Sequence, residues 1–435
     1  MDFSIKTLGE CRFRSPILDN YPHLESAFID ENKRVRLNVI VDVNNPEEEE
    51  PTLEIAGQRR KLYFNPPYTR AAIVTCGGLC PGLNDVIRSI VMESHYHYGV
   101  TSIMGIRYGY NGLKEGSPYA PVELTPDKVK DIHKIGGTIL GSSRGGTDNI
   151  NSLVDSLEKM GINILYTIGG DGTLTGAHEI ASIAEKRGLP LSVIGIPKTI
   201  DNDINFIQKS FGFETAFSKA VEAISGAHVE ANGAPNGVGL VKLMGRHSGF
   251  IASYASLAMN DVNFILVPEQ PFDLDPPNGL LFHLENYLIK RKHAVICVAE
   301  GAGQEHMVSA KGNTERDKSG NIRLNDIGVY IKERITSYFR DREMEVNVKY
   351  IDPSYLIRSE PACPNDSLFC GLLGQYAVHA GMAGKTDMIV GMINDTYIHV
   401  PIKAAVTGRK TIDVTSQFWN NVLQATGQPG NMKNS

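Results

Sequence analysis

The chain has 435 residues, 42% hydrophobic and 21% charged, which is typical of a globular protein long enough for two domains. Its formal net charge of -6 argues against a nucleic-acid-binding protein, which needs a basic face, but does not exclude an anionic small substrate. No stretch approaches the ~18 apolar residues of a membrane helix, and the six scattered cysteines indicate a reducing compartment. We therefore predict a cytoplasmic protein with neither a nucleic-acid nor a membrane partner.

The first 70 residues differ from the rest of the chain in composition and in hydrophobic periodicity. They contain the acidic run EEEE at 47–50 and show little helical periodicity, so we interpret this run as a solvated loop between short strands. From Arg70 onward, apolar runs bounded by glycine alternate with amphipathic stretches, which is typical of βαβ units and a parallel sheet. A polar segment at 312–321 is predicted to be a surface loop.

Seven apolar runs are predicted to be strands covered on both faces, because they are apolar throughout and do not alternate. They are 71–75, 162–168, 191–196, 238–243, 263–267, 294–299 and 387–392. Helices are predicted between them, for example over 82–94 and 214–228. In such sheets ligands bind beyond the carboxyl ends of the strands, so the residues that follow each strand are the functional candidates.

Glycine-rich loops follow two of these strands, CGGLCPG at 76–82 and GGDGT at 169–173, and GSSRGG lies at 141–146. Glycine lets the backbone turn sharply and present its N–H groups, with a helix N-terminus behind them, to a phosphate. A tight turn can also use glycine for packing alone. No loop matches GxxxxGK[ST] or GxGxxG, which disfavours a generic ATPase or dinucleotide domain. Together the loops predict a polyphosphate site that includes Arg144.

Carboxylates and arginines follow the remaining strands. Asp171, at the start of a helix, is either an N-cap or a Mg²⁺ ligand, and the adjacent phosphate loop favours the metal. The motif PKTIDND at 197–203 is either a polar turn or a pair of carboxylates, one of which accepts a proton from a substrate hydroxyl. Arg246 follows one further strand and Glu300 follows another, and both are candidate site residues. A base, a metal ligand and positive charge are the parts that phosphoryl transfer needs.

Five motifs in order, GGLCPGLN, GGDGT, PKTIDND, KLMGRHSG and YLIRS, resemble those of the phosphofructokinase family. Within this family, the motifs are similar to those of the ATP-dependent branch whose sequences are close to those of the pyrophosphate-dependent enzymes. The resemblance covers about 70–417, and residues 1–70 look like the N-terminal extension of that branch. It implies an α/β fold of two Rossmann-like parallel-sheet domains with the active site in the cleft between them. Residues 71–212 and 357–405 would form the ATP-binding domain, and 213–356 and 406–435 the fructose 6-phosphate-binding domain and C-terminal segment.

The resemblance implies ATP-dependent phosphorylation of fructose 6-phosphate at its 1-hydroxyl, the step of glycolysis that gives fructose 1,6-bisphosphate and ADP. Asp201 would be the base, supported by Asp203, and Thr199 and Arg246 would contact the transferring group. ATP and Mg²⁺ would be held by Gly77, Arg144, Gly145, Gly170, Asp171, Gly172 and Thr173, with the metal on Asp171. The sugar phosphate would contact Thr199, Ile200, Asp201, Met244, Gly245, Arg246, Glu300, Lys349, Tyr355 and Arg358, the last three at the 6-phosphate.

Two residues bear on the phosphoryl donor. Pyrophosphate-dependent enzymes have aspartate where Gly172 stands, and a carboxylate there would fill the space of the ATP α-phosphate and repel its charge. Lys198 is the residue of the pyrophosphate enzymes, but the ATP-dependent branch with the long extension also keeps it. Gly172 therefore decides for ATP.

The chain departs from the short bacterial ATP-dependent enzymes at three positions. Those enzymes have histidine at the position of Tyr355, arginine at that of Lys349, and an arginine contributed across a subunit interface at that of Gly237. The resemblance implies an allosteric homo-oligomer, a tetramer or a dimer, but these departures leave open which groups replace the missing charge and whether the effector sites carry over.

Three other functions are weighed against ATP-dependent transfer. Pyrophosphate-dependent transfer to the same sugar is the alternative that Lys198 supports. A catalytically silent regulatory subunit has no need for the intact base and metal ligand. A lipid or dinucleotide kinase would share GGDGT without the other motifs.

Overall fold

The structure is a computed structural model that describes residues 1–40, 43–44, 50–307 and 323–434. Most of the acidic run (47–49) and the predicted loop at 312–321 lie outside the described residues. The strands are β1 (Lys6–Thr7), β2 (Phe13–Arg14), β3 (Arg34–Arg36), β4 (Thr52–Ile55), β5 (Lys61–Leu62), β6 (Arg70–Thr75), β7 (Ser102–Ile106), β8 (Val122–Glu123), β9 (Ile164–Gly169), β10 (Ser192–Pro197), β11 (Gly237–Leu243), β12 (Phe264–Leu266), β13 (His293–Ala299), β14 (Asn347–Ile351), β15 (Lys385–Thr386), β16 (Met388–Ile393) and β17 (Thr396–Pro401).

The α-helices are α1 (Pro16–Asn20), α2 (Leu83–Tyr96), α3 (Pro126–Val129), α4 (Ile150–Lys159), α5 (Asp171–Lys186), α6 (Phe213–Asn232), α7 (Phe250–Met259), α8 (Leu280–Arg291), α9 (Ile327–Arg340), α10 (Ser354–Ser359), α11 (Pro364–Met382), α12 (Ile402–Ala405) and α13 (Gln417–Thr426). All seven strands predicted from apolar runs are present, with ends shifted by one or two residues. In the part of the chain that is described, no helix has the length and apolar character to cross a membrane.

The chain forms two compact units. The first unit contains Met1–Thr199, Ile204–Gly212 and Ser359–Arg409, and the second contains Ile200–Asp203, Phe213–Arg358 and Lys410–Ser435. Residues 1–70, set apart as an extension in the sequence analysis, group with the first unit. Ile200–Asp203, placed with the ATP-binding domain in the sequence analysis, group with the second unit.

The first unit is built on a nine-stranded sheet of order β3-β4-β17-β16-β10-β9-β6-β7-β8. Its five central strands, β16, β10, β9, β6 and β7, run parallel, as predicted. The outer pairings are antiparallel, which the sequence analysis did not predict. β17 follows β16 through Asn394 and Asp395, both with positive φ, and such a two-residue turn produces an antiparallel hairpin.

The N-terminal residues are integrated into the first unit by strand pairing. β1 pairs with β15 and β4 pairs with β17, both antiparallel. Leu53 of β4 is fully buried in the same apolar cluster as Val74, Leu165 and Val193 of the central strands. The segment thus contributes to the core of this unit and extends its sheet at one edge.

The second unit is built on a four-stranded sheet of order β12-β13-β11-β14, in which every pairing is parallel. Its core cluster includes Leu240 of β11, Ile296 of β13 and Leu284 of α8, all buried. β14 was not predicted, because its residues are at most partly buried and do not form a continuous apolar run. Both units therefore have the α/β architecture expected from the sequence.

Candidate active site

Three neighbouring parallel strands of the first unit bring the predicted nucleotide-binding residues to one edge of the sheet. β9 lies between β6 and β10, and the register pairs Thr75 with Ile168 and Pro197 with Gly169. Gly77, Gly170 and Lys198, which follow these strands, consequently share that edge. This placement follows from strand order alone, because carboxyl ends of parallel strands point the same way.

Hydrogen bonds join the glycine loops to one another. The Gly77 N–H donates to the carbonyl of Ser143 over 2.9 Å, and the Ser142 hydroxyl donates to the Gly77 carbonyl over 2.7 Å. Gly77 has φ +88° and Gly145 has φ +73°, a left-handed conformation that favours glycine. Arg144 and Gly145 are exposed at the tip of the second loop. The glycine loops at 76–82 and 141–146 are therefore joined by hydrogen bonds.

Lys198 is a buried lysine that contacts the first glycine loop. Its ammonium donates to the Gly78 carbonyl over 2.8 Å and lies 3.2 Å from the position that a Cβ on Gly77 would occupy. The backbone N–H of Lys198 also donates to the Gly169 carbonyl over 3.0 Å. This lysine thus puts positive charge at the predicted phosphate site.

The GGDGT motif turns from β9 into α5 and leaves an open space in front of Gly172. Beyond its chain neighbours and the backbone of its own helix, a Cβ built on Gly172 meets no atom within 4 Å, whereas one on Gly169 would collide with the Thr173 side chain at 2.1 Å. Gly169 is therefore required for packing, and Gly172 is not. A larger side chain at 172 would project into the open space without disturbing the fold.

Asp171 is the first residue of α5, and the N-cap position belongs to Gly170, so the N-cap alternative for Asp171 does not hold. Its carboxylate pairs with the guanidinium of Arg409 over 2.8 Å, and both side chains are about one-third exposed or less. No sequence motif indicated a role for Arg409. The only available signal was the basic pair Arg409 and Lys410 inside TGRKTID.

The residues present fit a magnesium ion bound together with a nucleotide. Among the described residues there is no group of three or more His, Cys, Asp or Glu side chains placed to hold a metal. Mg²⁺ instead prefers one or two carboxylates with substrate phosphate oxygens and water. Asp171, at a helix N-terminus beside the glycine loops, offers such a single carboxylate.

The second unit holds the predicted base in a tight turn. The Arg246 backbone N–H donates to Asp201 Oδ2 over 3.4 Å, and the Ser248 hydroxyl donates to the Asp201 carbonyl over 2.8 Å. Asn202 has φ +56° and, like Asp203, is buried. Thr199, two residues before Asp201, belongs to the first unit.

The electrostatic surroundings raise the pKa of Asp201 to about 7. Burial is the main cause, and the negative charges of Asp203 and Glu300 act in the same direction. The hydrogen bond from Arg246 and the charge of Arg358 oppose the shift. A carboxylate with a pKa near neutrality is suited to general base catalysis.

Close backbone packing brings the ends of β11 and β13 together. The Glu300 N–H donates to the Leu243 carbonyl over 2.8 Å, and a Cβ on Gly301 would lie 2.0 Å from the Arg246 carbonyl. Gly245 has φ +131°, and a Cβ there would lie 2.4 Å from the Ser248 carbonyl. The glycines therefore permit MGR and Glu300 to lie beside Asp201.

Arg358 joins this group, Tyr355 lies beside Arg358, and Lys349 lies further away along β14. Arg358 Nε lies 3.0 Å from Met244 Sδ. Tyr355 is 82% exposed, with Arg358 over its ring at 6.0 Å. Lys349 pairs with Gly239, four residues before the end of β11, and its ammonium is 3.9 Å from the Glu230 carboxylate. Within this chain Lys349 is thus not beside Met244, and its role at the 6-phosphate stays a prediction.

Comparison with known proteins confirms the predicted family. A family model described as phosphofructokinase matches residues 70–381. An ATP-dependent 6-phosphofructokinase of Borreliella burgdorferi is 50% identical over 442 residues, covering 100% of this chain and 98% of that protein. An ATP-dependent 6-phosphofructokinase of Trypanosoma brucei brucei is 47% identical over 386 residues, covering 88% of this chain and 78% of that protein.

A solved structure supports the fold. The pyrophosphate-dependent phosphofructokinase from Marinobacter aquaeolei superimposes with a TM-score of 0.67 at 18% sequence identity, covering 82% of this chain and 91% of that chain. At this identity the likeness concerns the fold of two Rossmann-like domains alone. With the family match over 312 residues and relatives near 50% identity, the chain belongs to the phosphofructokinase family.

Proposed function

We propose that this protein transfers the terminal phosphoryl group of ATP to the 1-hydroxyl of fructose 6-phosphate. The observation that carries the proposal is the group formed by Asp201, Arg246 and Glu300 in the second unit, in which a buried carboxylate has its pKa raised to about 7. Relatives that match nearly the whole chain carry the name ATP-dependent 6-phosphofructokinase.

In this mechanism Asp201 accepts the proton of the 1-hydroxyl as the sugar oxygen bonds to the γ-phosphorus of ATP. The bond from that phosphorus to the β-phosphate oxygen breaks, and ADP and fructose 1,6-bisphosphate are the products. Arg246 supplies positive charge to the transferring phosphoryl oxygens, and Thr199 contacts the same group. Asp203 supports the base, and Glu300 binds sugar hydroxyls beside Met244 and Gly245.

The remaining residues bind the ends of the two substrates. Arg358, with Tyr355 and Lys349, contacts the 6-phosphate, for which arginine and lysine are suited. The glycine loops, with Arg144 and Thr173, hold the ATP phosphates in the first unit. Asp171 would hold Mg²⁺, which neutralises charge on the phosphates when bound. We also propose a homo-oligomer, as the resemblance implies.

Pyrophosphate-dependent transfer is the second candidate, because the Lys198 ammonium lies against the Gly77–Gly78 turn. The same contact would serve ATP, and the open space beside Gly172 favours the larger donor.

The direct test measures turnover of fructose 6-phosphate with ATP or pyrophosphate, with and without Mg²⁺. We expect product only with ATP and Mg²⁺. Asp201→Ala should lower kcat roughly 100- to 10,000-fold, as expected for loss of a general base, while calorimetry shows fructose 6-phosphate binding nearly unchanged. Glu345→Ala, at an exposed position in the same unit, is the control. Near-normal turnover of the Asp201 variant would contradict the assigned base.

A further inference from the structure

Lys410 contacts the turn that carries the two carboxylates, although the sequence analysis gave this lysine no role. Its backbone N–H donates to the Asp203 carbonyl over 3.0 Å, and its ammonium donates to Asn202 Oδ1 over 2.9 Å. All three residues belong to the second unit. Lys410 therefore contacts the residue between Asp201 and Asp203 and the backbone of Asp203.

Burying the Lys410 ammonium costs free energy. Burial lowers the pKa of this ammonium to about 8, and the negative charge of Asp203 opposes that shift. The ammonium also lies 5.4 Å from the centre of the Phe250 ring, at cation–π distance. Removing a lysine from water is unfavourable unless a partner compensates for the loss, so the charge of Asp203 and the contact with Asn202 hold it there.

The turn itself needs support. Asn202 adopts the left-handed conformation at φ +56°, which is uncommon outside glycine, and its side chain is buried. Asparagine tolerates this region better than other non-glycine residues, and the contacts of its buried side chain help to hold it there. Arg246 and Ser248 contact Asp201, and Lys410 contacts Asn202 and Asp203.

We propose that Lys410 is a positioning residue for phosphoryl transfer, which fixes the Asp201–Asn202–Asp203 turn and places a positive charge beside Asp203. The inference rests on the proposed function, because it concerns the orientation of the proposed base. The alternative is that Lys410 only anchors the segment 410–412 and so contributes to stability alone. That segment already has a separate anchor. The Glu269 carboxylate accepts from the backbone N–H groups of both Ile412 and Gly249, within 3.0 Å.

The test compares Lys410→Met with Lys410→Arg, and with Lys332→Met as the control at an exposed position on α9. A misplaced catalytic group commonly lowers turnover by about 100-fold, so we expect this fall in kcat for Lys410→Met. We expect KM for fructose 6-phosphate to change less than about threefold, because ground-state binding is retained. Lys410→Arg, which keeps the charge, should recover most of the lost kcat.

A structural role predicts a different result, namely a lower Tm for Lys410→Met with kcat near that of the unsubstituted protein, and this result would overturn the proposal. If the methionine variant does not fold, Lys410→Gln keeps a donor for Asn202 without the charge, and normal kcat in that variant would also overturn it.

A separate measurement does not depend on turnover. Hydrogen exchange of the 200–203 amides in the substrate-free protein should be faster in Lys410→Met than in Lys332→Met. Equal rates would contradict the role of Lys410 in fixing the turn. Absence of any ATP-dependent turnover in the unsubstituted protein would contradict the proposed function instead, so the two failures are distinguishable.

Discussion

Asp201 lies among groups of its own charge, and this determines how the reaction should respond to pH. Burial, Asp203 and Glu300 together raise the pKa of Asp201 to about 7. Because a base must be ionised to accept a proton, activity should be lost as the pH falls through this value. Below it we expect kcat/KM to decrease about tenfold per pH unit.

Glu300→Gln tests the cause of that pH dependence. Removing one neighbouring negative charge should lower the pKa of Asp201 and move the acidic limb of the kcat/KM profile to lower pH. The phosphates of both substrates titrate identically in the two proteins, so the difference between the profiles isolates the enzyme group. Glu345→Gln, at an exposed position, should leave the limb in place. An unshifted limb in Glu300→Gln would remove Glu300 as a cause.

Gly172 gives the sharpest residue-scale prediction about the donor. Because a Cβ built there has no atom within 4 Å beyond its chain neighbours and the backbone of its own helix, Gly172→Asp should fold with little change in Tm. The added carboxylate would repel the α-phosphate and occupy its space. We expect kcat/KM for ATP to fall by at least about tenfold, equivalent to about 1.4 kcal/mol. Gly172→Asn separates volume from charge, and unchanged ATP kinetics in both variants would contradict the donor assignment.

At the scale of elements, buried parallel strands were predictable because a strand covered on both faces must be apolar throughout. β6, β9, β10, β11 and β13 follow this rule. The antiparallel edge strands of the first unit were not predicted, because their pairing depends on hairpin turns and on partners distant in sequence. β4 is an example, since it pairs with β17 more than 300 residues later.

A buried ionic network links β4 to β15 and β17. Glu54 accepts hydrogen bonds from Arg59 and Lys385, and His399 Nδ1 lies 3.0 Å from its carboxylate. Burial acts to raise the pKa of Glu54, but the hydrogen bonds and charges of His399 and Lys385 outweigh it and lower that pKa to about 2. Since the shift is downward, its contribution to stability is present above the ordinary pKa of 4.5 and is lost as the pH falls toward 2.

Glu54→Gln should therefore destabilise the protein at neutral pH. Of the carboxylates in the described residues, Arg59 and Lys385 would keep only the exposed one of Glu31, at 3.0 and 2.8 Å. The substitution should therefore cost up to about 3 kcal/mol, measured by denaturant unfolding, and the difference from the unsubstituted protein should shrink below about pH 4. The exposed pair of Arg14 and Asp19 provides the control, because Asp19→Asn should cost no more than about 1 kcal/mol. Equal effects of the two substitutions would show that the network contributes nothing beyond a surface pair.

At the scale of the whole molecule, the sequence motifs were a better guide to the candidate site residues than to the division of the chain into two units. The boundary between Thr199 and Ile200 falls inside PKTIDND, a motif that looks continuous in sequence. Arg409 pairs with Asp171 and the Lys410 ammonium bonds to Asn202, each more than 200 residues away in sequence, so no local pattern marks these contacts. Long-range contacts of this kind become visible only in the folded chain.

The division into units predicts which segments each substrate protects. A ligand that binds only the folded state slows amide exchange in its site, by about tenfold when its concentration is ten times Kd. Fructose 6-phosphate alone should protect peptides containing 244–246, 300 and 358 of the second unit. ATP with Mg²⁺ should first protect 76–78, 141–146 and 170–173 of the first unit. The exposed helical segment around Lys332 provides a reference. If the sugar phosphate protected the glycine loops and left 244–246 unchanged, the assignment of substrates to units would be wrong, whichever donor the enzyme uses.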